Sequence, residues 1–126
     1  MTNQKLTTIL GKHALIDLSG CDPKILQNYE LVQNIIVEAA ALASVRVIGQ
    51  LEHKFEPEGY SVILALEESH LSIHTWPEYN YVSIDLFSCN LDTDFERVKM
   101  FLIAQFRAEV VDFTLLNRSR SITVDQ

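Results

Sequence analysis

Most of the side chains able to do chemistry fall in one stretch, Glu67-Glu68-Ser69-His70-Leu71-Ser72-Ile73-His74-Thr75-Trp76-Pro77-Glu78. A β-rich apolar run ends there in two acids. Ser-His follows, then a polar face that carries a second histidine and the single tryptophan. His70 and His74 at i and i+4 would suit a zinc ion on a helix. On a strand they point the same way but lie roughly 13 Å apart, too far for one ion to hold both. Trp76-Pro77 and the β-branched content favour the strand. Ser69 beside His70 could suggest a hydrolase nucleophile, yet no G-x-S-x-G elbow surrounds it. Adjacent strand residues also face opposite ways. Read alone, the stretch fits surface histidines beside a core strand or a functional site.

The elements that must position these residues follow from periodicity. His13 to Leu18 reads as a first strand, ended by Ser19-Gly20. Asp22-Pro23 opens a helix, with Asp as N-cap and Pro in the first turn. Apolar residues from Leu26 to Ala43 recur at helical spacing and carry it to about Ser44. Val45 to His53 alternates as a strand, and Glu56 to Gly59 is a turn. Tyr60 to Leu66 and His70 to Trp76 are strands. Pro77 breaks the second, and Tyr81 to Cys89 is the next. Thr93-Asp94-Phe95-Glu96 has the form of a capping box opening a second helix. Val110 to Leu116 is the last strand. The order β-α-β-β-β-β-α-β predicts an α+β two-layer sandwich, a largely antiparallel sheet with two helices on one face.

The 126 residues suit one domain, 1–126. Hydrophobic residues make up 48% and charged residues 21%, the balance of a globular protein. A net charge of −7 and the lack of a basic run disfavour nucleic acid. Met1 to Lys12 lacks the apolar stretch of a signal peptide, and the longest apolar run, Val62 to Leu66, is too short for a bilayer. Cys21 and Cys89 form no CxxC pair, which suggests free thiols and a cytoplasmic setting.

Several segments together resemble the prokaryotic S-adenosylmethionine decarboxylases, which are pyruvoyl-dependent. They are Glu68-Ser69-His70, His74-Thr75-Trp76-Pro77-Glu78-Tyr79 and Asp85-Leu86-Phe87-Ser88-Cys89. Phe55-x-Pro57-x-Gly59-x-Ser61 lies ahead of them, and Gly11-Lys12-His13 and Cys21-Asp22 further upstream. The resemblance fades after about residue 110. It implies decarboxylation of S-adenosylmethionine to the aminopropyl donor of spermidine biosynthesis. Side chains alone offer no adequate electron sink for the carbanion that decarboxylation leaves; a carbonyl that forms a Schiff base with the substrate amine does. The resemblance implies that this carbonyl is a pyruvoyl group derived from Ser69. Autocatalytic cleavage at Glu68-Ser69 would leave a β chain, 1–68, and an α chain, 69–126.

The same resemblance gives the other site residues their roles. His74 is the processing base, and imidazole suits proton transfer near neutrality. Ser61 assists the self-cleavage. Cys89 is the proton donor in decarboxylation; an ordinary thiol is mostly protonated at neutral pH. Phe55 stacks on adenine and Glu78 binds the ribose hydroxyls. No metal is implied. Ser69 and His74 are five strand positions apart, so they face opposite ways and lie roughly 16 Å apart. The family's arrangement meets this with a homodimer and shared sites: Ser69 and Cys89 from one protomer, Phe55, Ser61, His74 and Glu78 from its partner. Some positions depart from the family pattern. Val62, Asn80 and Asn90 stand where glycine is usual, and Glu67 adds a second acid beside the cleavage bond. The tail from Asn117 to Gln126 has no clear counterpart. An ornithine or arginine decarboxylase on the same scaffold is the alternative activity, and a non-catalytic nucleoside-binding homologue a further one.

Overall fold

A computed structural model describes residues 3–125; Met1, Thr2 and Gln126 lie outside the described residues. The elements run β1 (Asn3–Ser19), α1 (Pro23–Leu26), α2 (Tyr29–Leu42), β2 (Val47–Lys54), β3 (Tyr60–Leu66), β4 (Ser69–Trp76), a 3-10 turn (Pro77–Tyr79), β5 (Tyr81–Ser88), α3 (Phe95–Phe106) and β6 (Val110–Asp125). The six strands form one sheet in the order β2-β3-β4-β5-β1-β6, every neighbouring pair antiparallel. The expected α+β architecture is present, with one helix more than expected.

The core follows from strand alternation. Ala14, Ile16 and Leu18 of β1, Leu71 and Ile73 of β4, and Val82, Ile84 and Leu86 of β5 are buried. They meet Val32, Ile36 and Ala39 of α2 and Val98, Leu102 and Phe106 of α3. The intervening residues form the opposite face, which carries no helix: His13, Leu15 and Asp17 on β1, His70, Ser72, His74 and Trp76 on β4, Ser83, Asp85 and Phe87 on β5. Most of the titratable side chains of the sheet therefore share a face bare of helices, while Ser69, at the head of β4, has the opposite parity to His74.

Several boundaries differ from expectation. The single helix expected to Ser44 is broken at Gln27-Asn28. There the Asn28 carboxamide accepts the Leu31 N–H at 3.1 Å and starts α2 afresh. The capping box does not form. Asp94 is the N-cap of α3, accepting from the Arg97 N–H at 3.0 Å. Thr93 is buried instead and donates to the Ala43 carbonyl at 3.1 Å. Strand β2 starts at Val47, and its pairing shifts between Val47 and Gly49. The outer strands run much further than expected. Asn3 pairs with Asp125, and the two strands make a ribbon extending past the pairing of β1 with β5. Its residues are exposed, so no buried stripe marks it. Where the ribbon enters the sheet, a Cβ on Gly11 would lie 2.9 Å from the Phe87 ring and 3.1 Å from the Ser88 carbonyl, so only glycine fits.

The residues that stand in place of glycine each have a local solution. Asn80 takes the left-handed conformation, φ 52° and ψ 40°, which asparagine tolerates better than most residues. Val62 is fully buried in the core face of β3. Asn90 accepts the Asp92 N–H at 3.0 Å and gives its own N–H to the Ser88 hydroxyl at 3.1 Å, closing the turn by side-chain bonds.

Candidate active site

Strands β3 and β4 form a hairpin, and its register places the reactive residues. Ser61 pairs with His74, and Leu66 with Ser69, leaving Glu67-Glu68 as the turn. The Ser61 hydroxyl lies 2.7 Å from Nδ1 of His74. Around this pair opens a cleft of about 360 Å³, lined by Phe55, Glu58, Gly59, Ser61, His74, Thr75, Trp76 and Glu78. Four of the residues singled out in the sequence, Phe55, Ser61, His74 and Glu78, are thus brought together. Trp76, Glu58 and Gly59 join them unassigned. The sequence signal for Trp76 was its place on the same strand face as His74. The cleft has an aromatic wall, an imidazole and two carboxylates at its rim, a set suited to a cationic nucleoside.

Ser69 and Cys89 are absent from that cleft. Ser69 begins β4, opposite Ser88, and Cys89 follows Ser88 directly. This end of the sheet is tied down by a buried hydroxyl pair, Ser88 Oγ to Thr93 Oγ1 at 2.9 Å, which the sequence reading missed. Glu68, whose carbonyl would be cleaved, has φ 64°, the left-handed region that a glutamate enters only at a cost. The Ser69 hydroxyl points back across the turn, 3.5 Å from the Glu67 carbonyl. That contact is one residue short of the Glu68 carbonyl the hydroxyl would attack, with the left-handed Glu68 between them.

The two cysteines differ sharply. Cys21 is buried against the Leu18 carbonyl, and burial pushes its thiol up to about 11. Cys89 is half-buried beside the turn.

The bare face also carries a hub the sequence reading did not foresee. Asp85 Oδ2 accepts from Nε2 of His13 at 2.7 Å and Nε2 of His70 at 3.0 Å, and Oδ1 accepts from the Ser72 hydroxyl. Burial alone would raise this carboxyl, but the bonds from Ser72, His13 and His70 outweigh it and hold the carboxyl below its ordinary range. Only the spacing of His70 from His74 was weighed in the sequence; the carboxylate that His70 meets is on β5 and the second imidazole, His13, on β1, which spacing cannot reveal. Ligand atoms of His13, His70 and Asp85 lie within 4.8 Å of one another, close enough for a divalent ion. The bonding is that of a hydrogen-bonded carboxylate instead. Arg118 lies 3.1 Å from Nδ1 of His13, and a guanidinium can only donate. The imidazole proton is thereby placed on Nε2, the nitrogen a metal would need free.

Comparison with known proteins identifies the family. Residues 12–119 match the family model described as S-adenosylmethionine decarboxylase. The S-adenosylmethionine decarboxylase proenzyme of Thermodesulfovibrio yellowstonii is 39% identical over 109 residues, covering 86% of this chain and 81% of that protein. That of Caldicellulosiruptor saccharolyticus is 45% identical over 85 residues, 68% of each chain. The solved adenosylmethionine decarboxylase of Aquifex aeolicus superposes with a TM-score of 0.80 at 28% identity, covering 87% of this chain and 91% of that one. A sheet with a bare polar face, a hairpin ending in Glu68-Ser69 and a family match over most of the chain converge: this chain belongs to the S-adenosylmethionine decarboxylase family.

Proposed function

We propose that the chain cleaves itself between Glu68 and Ser69 and then decarboxylates S-adenosylmethionine, working as a homodimer with shared sites. The product is the aminopropyl donor for spermidine biosynthesis. The observation that carries this reading is the division of the site residues. Phe55, Ser61, His74 and Glu78 surround one cleft, while Ser69 and Cys89 sit at the other end of β4. A second copy whose cleft meets the Glu68-Ser69 end of the first can bring the two halves together.

The self-cleavage needs only the chain and water. The Ser69 hydroxyl attacks the Glu68 carbonyl carbon, and the acyl group passes from nitrogen to oxygen. His74 of a second copy takes the α-proton of residue 69, and elimination releases the Glu68 carboxylate. The dehydroalanine left behind adds water and loses ammonia, leaving a pyruvoyl group at the head of 69–126. That group supplies a carbonyl electron sink for the substrate amine. The remaining residues bind and move protons. The Phe55 ring offers a face for adenine and Glu78 a carboxylate for the ribose hydroxyls. The Cys89 thiol donates the proton that replaces carbon dioxide.

Two free thiols fit a reducing compartment such as the cytoplasm, and among the described residues no helix is long and apolar enough to cross a membrane. A basic amino acid as substrate would leave the aromatic wall of Phe55 and Trp76 without a partner. The test is release of labelled carbon dioxide from carboxyl-labelled S-adenosylmethionine, ornithine and arginine. Release from the first alone is expected; release from ornithine or arginine instead would overturn the substrate assignment.

A further inference from the structure

Phe55 stands on the turn between β2 and β3 with about half of its surface exposed, 48%. Among the described residues its aromatic ring contact is with His53, edge-on at 4.5 Å. An exposed ring has little packing to fix it, so its position depends on the backbone of the turn. That backbone is tied through Gly59. The Phe55 N–H donates to the Gly59 carbonyl at 2.9 Å, and the Gly59 N–H donates to the Tyr29 hydroxyl at 3.0 Å. Gly59 has φ 112°, and a Cβ there would stand 3.5 Å from Phe55 Cβ and 3.4 Å from the Thr75 carbonyl. Tyr29, the first residue of α2, comes from the helical layer. Its ring stacks on Tyr60 with centroids 4.7 Å apart and planes 8° from parallel. The Tyr60 hydroxyl in turn donates to the Glu52 carboxylate. The stacked tyrosines thus brace the cleft wall against the core.

We propose that Tyr29 is a positioning residue for the nucleoside end of the cleft, acting on substrate affinity through Gly59 and Phe55. This rests on the reading that Phe55 receives the adenine of S-adenosylmethionine. Tyr29 touches neither the cleavage bond nor His74, so self-cleavage and the chemical step are independent of it.

Tyr29→Phe tests this, because it keeps the stacked ring and removes only the acceptor of the Gly59 N–H. KM for S-adenosylmethionine should rise about fivefold, the range of one lost neutral hydrogen bond. Turnover at saturation and the rate of self-cleavage should stay at wild-type values. A merely structural role would lower the melting temperature and leave KM in place. In the uncleavable Ser69→Ala background, binding of 5′-methylthioadenosine, which reports the nucleoside end alone, should weaken by the same factor. Unchanged KM and nucleoside affinity, or a loss confined to turnover or self-cleavage, would overturn the inference. A wild-type chain that neither cleaves nor releases carbon dioxide would overturn the functional reading itself, a separate outcome.

Discussion

The Ser61 hydroxyl and Nδ1 of His74 lie 2.7 Å apart across the β3–β4 ladder, and in the tautomer whose Nδ1–H donates to that hydroxyl, Nε2 is the nitrogen left to take up a proton. A base held in one orientation by a neighbour is a recurring catalytic arrangement. His74→Ala should slow self-cleavage by roughly 10²–10⁴-fold, the usual contribution of a positioned base. Ser61→Ala should slow it less, by about tenfold to a hundredfold, because the imidazole remains but is no longer held. Densitometry of intact chain against fragments over time measures both. Wild-type cleavage in His74→Ala would remove histidine from the account.

The position of Ser69 and His74 on one strand gives a second prediction. Five residues along β4 separate them by roughly 16 Å and turn them to opposite faces. Ser69→Ala and His74→Ala protomers, co-expressed with different tags, should therefore complement each other. The tandem-purified heterodimer should cleave the Ser69-bearing chain, while each variant alone stays intact. No cleavage in the heterodimer would mean that the site is not shared.

The left-handed Glu68 predicts a change in stability. Glycine enters this region without the side-chain penalty of about 1–2 kcal/mol. In the uncleavable Ser69→Ala background, Glu68→Gly should raise the melting temperature by a few degrees. A lowered melting temperature would show that the turn bears no strain.

Asp85 predicts a pH dependence. Its carboxyl is held below the ordinary value in the folded chain, so its bonds stabilise the fold above about pH 3.9. That contribution fades as pH falls through the folded value. Asp85→Asn should cost roughly 1–2 kcal/mol at neutral pH, and the gap to wild type should narrow in acid, below about pH 4. A gap that is constant with pH would show that the charge contributes nothing.

What the sequence reveals depends on how local the signal is. Strands β3 and β4 were legible because one is a β-rich apolar run and the other alternates up to Pro77, while their pairing as a hairpin came only with the structure. The grouping of Phe55, Ser61, His74 and Glu78 rested on a family resemblance, and the fold brings these residues to one cleft. The Asp85 hub was hidden because its histidine donors come from β1 and β4, seventy-two and fifteen positions away. The ribbon of β1 and β6 was invisible for another reason. Both of its faces are exposed, so no buried stripe betrays it. The break at Asn28 was missed because apolar spacing continues across it, and only the side-chain cap stops the helix.

The most direct measurement of the central claim is the intact mass of the purified protein. Two polypeptides are expected, residues 1–68 with an ordinary carboxyl end and residues 69–126 with a keto group where an amino group would be. The second should resist amino-terminal sequencing and gain two hydrogens with borohydride. A single chain of unaltered mass, or a second fragment that begins with an intact serine, would contradict the account.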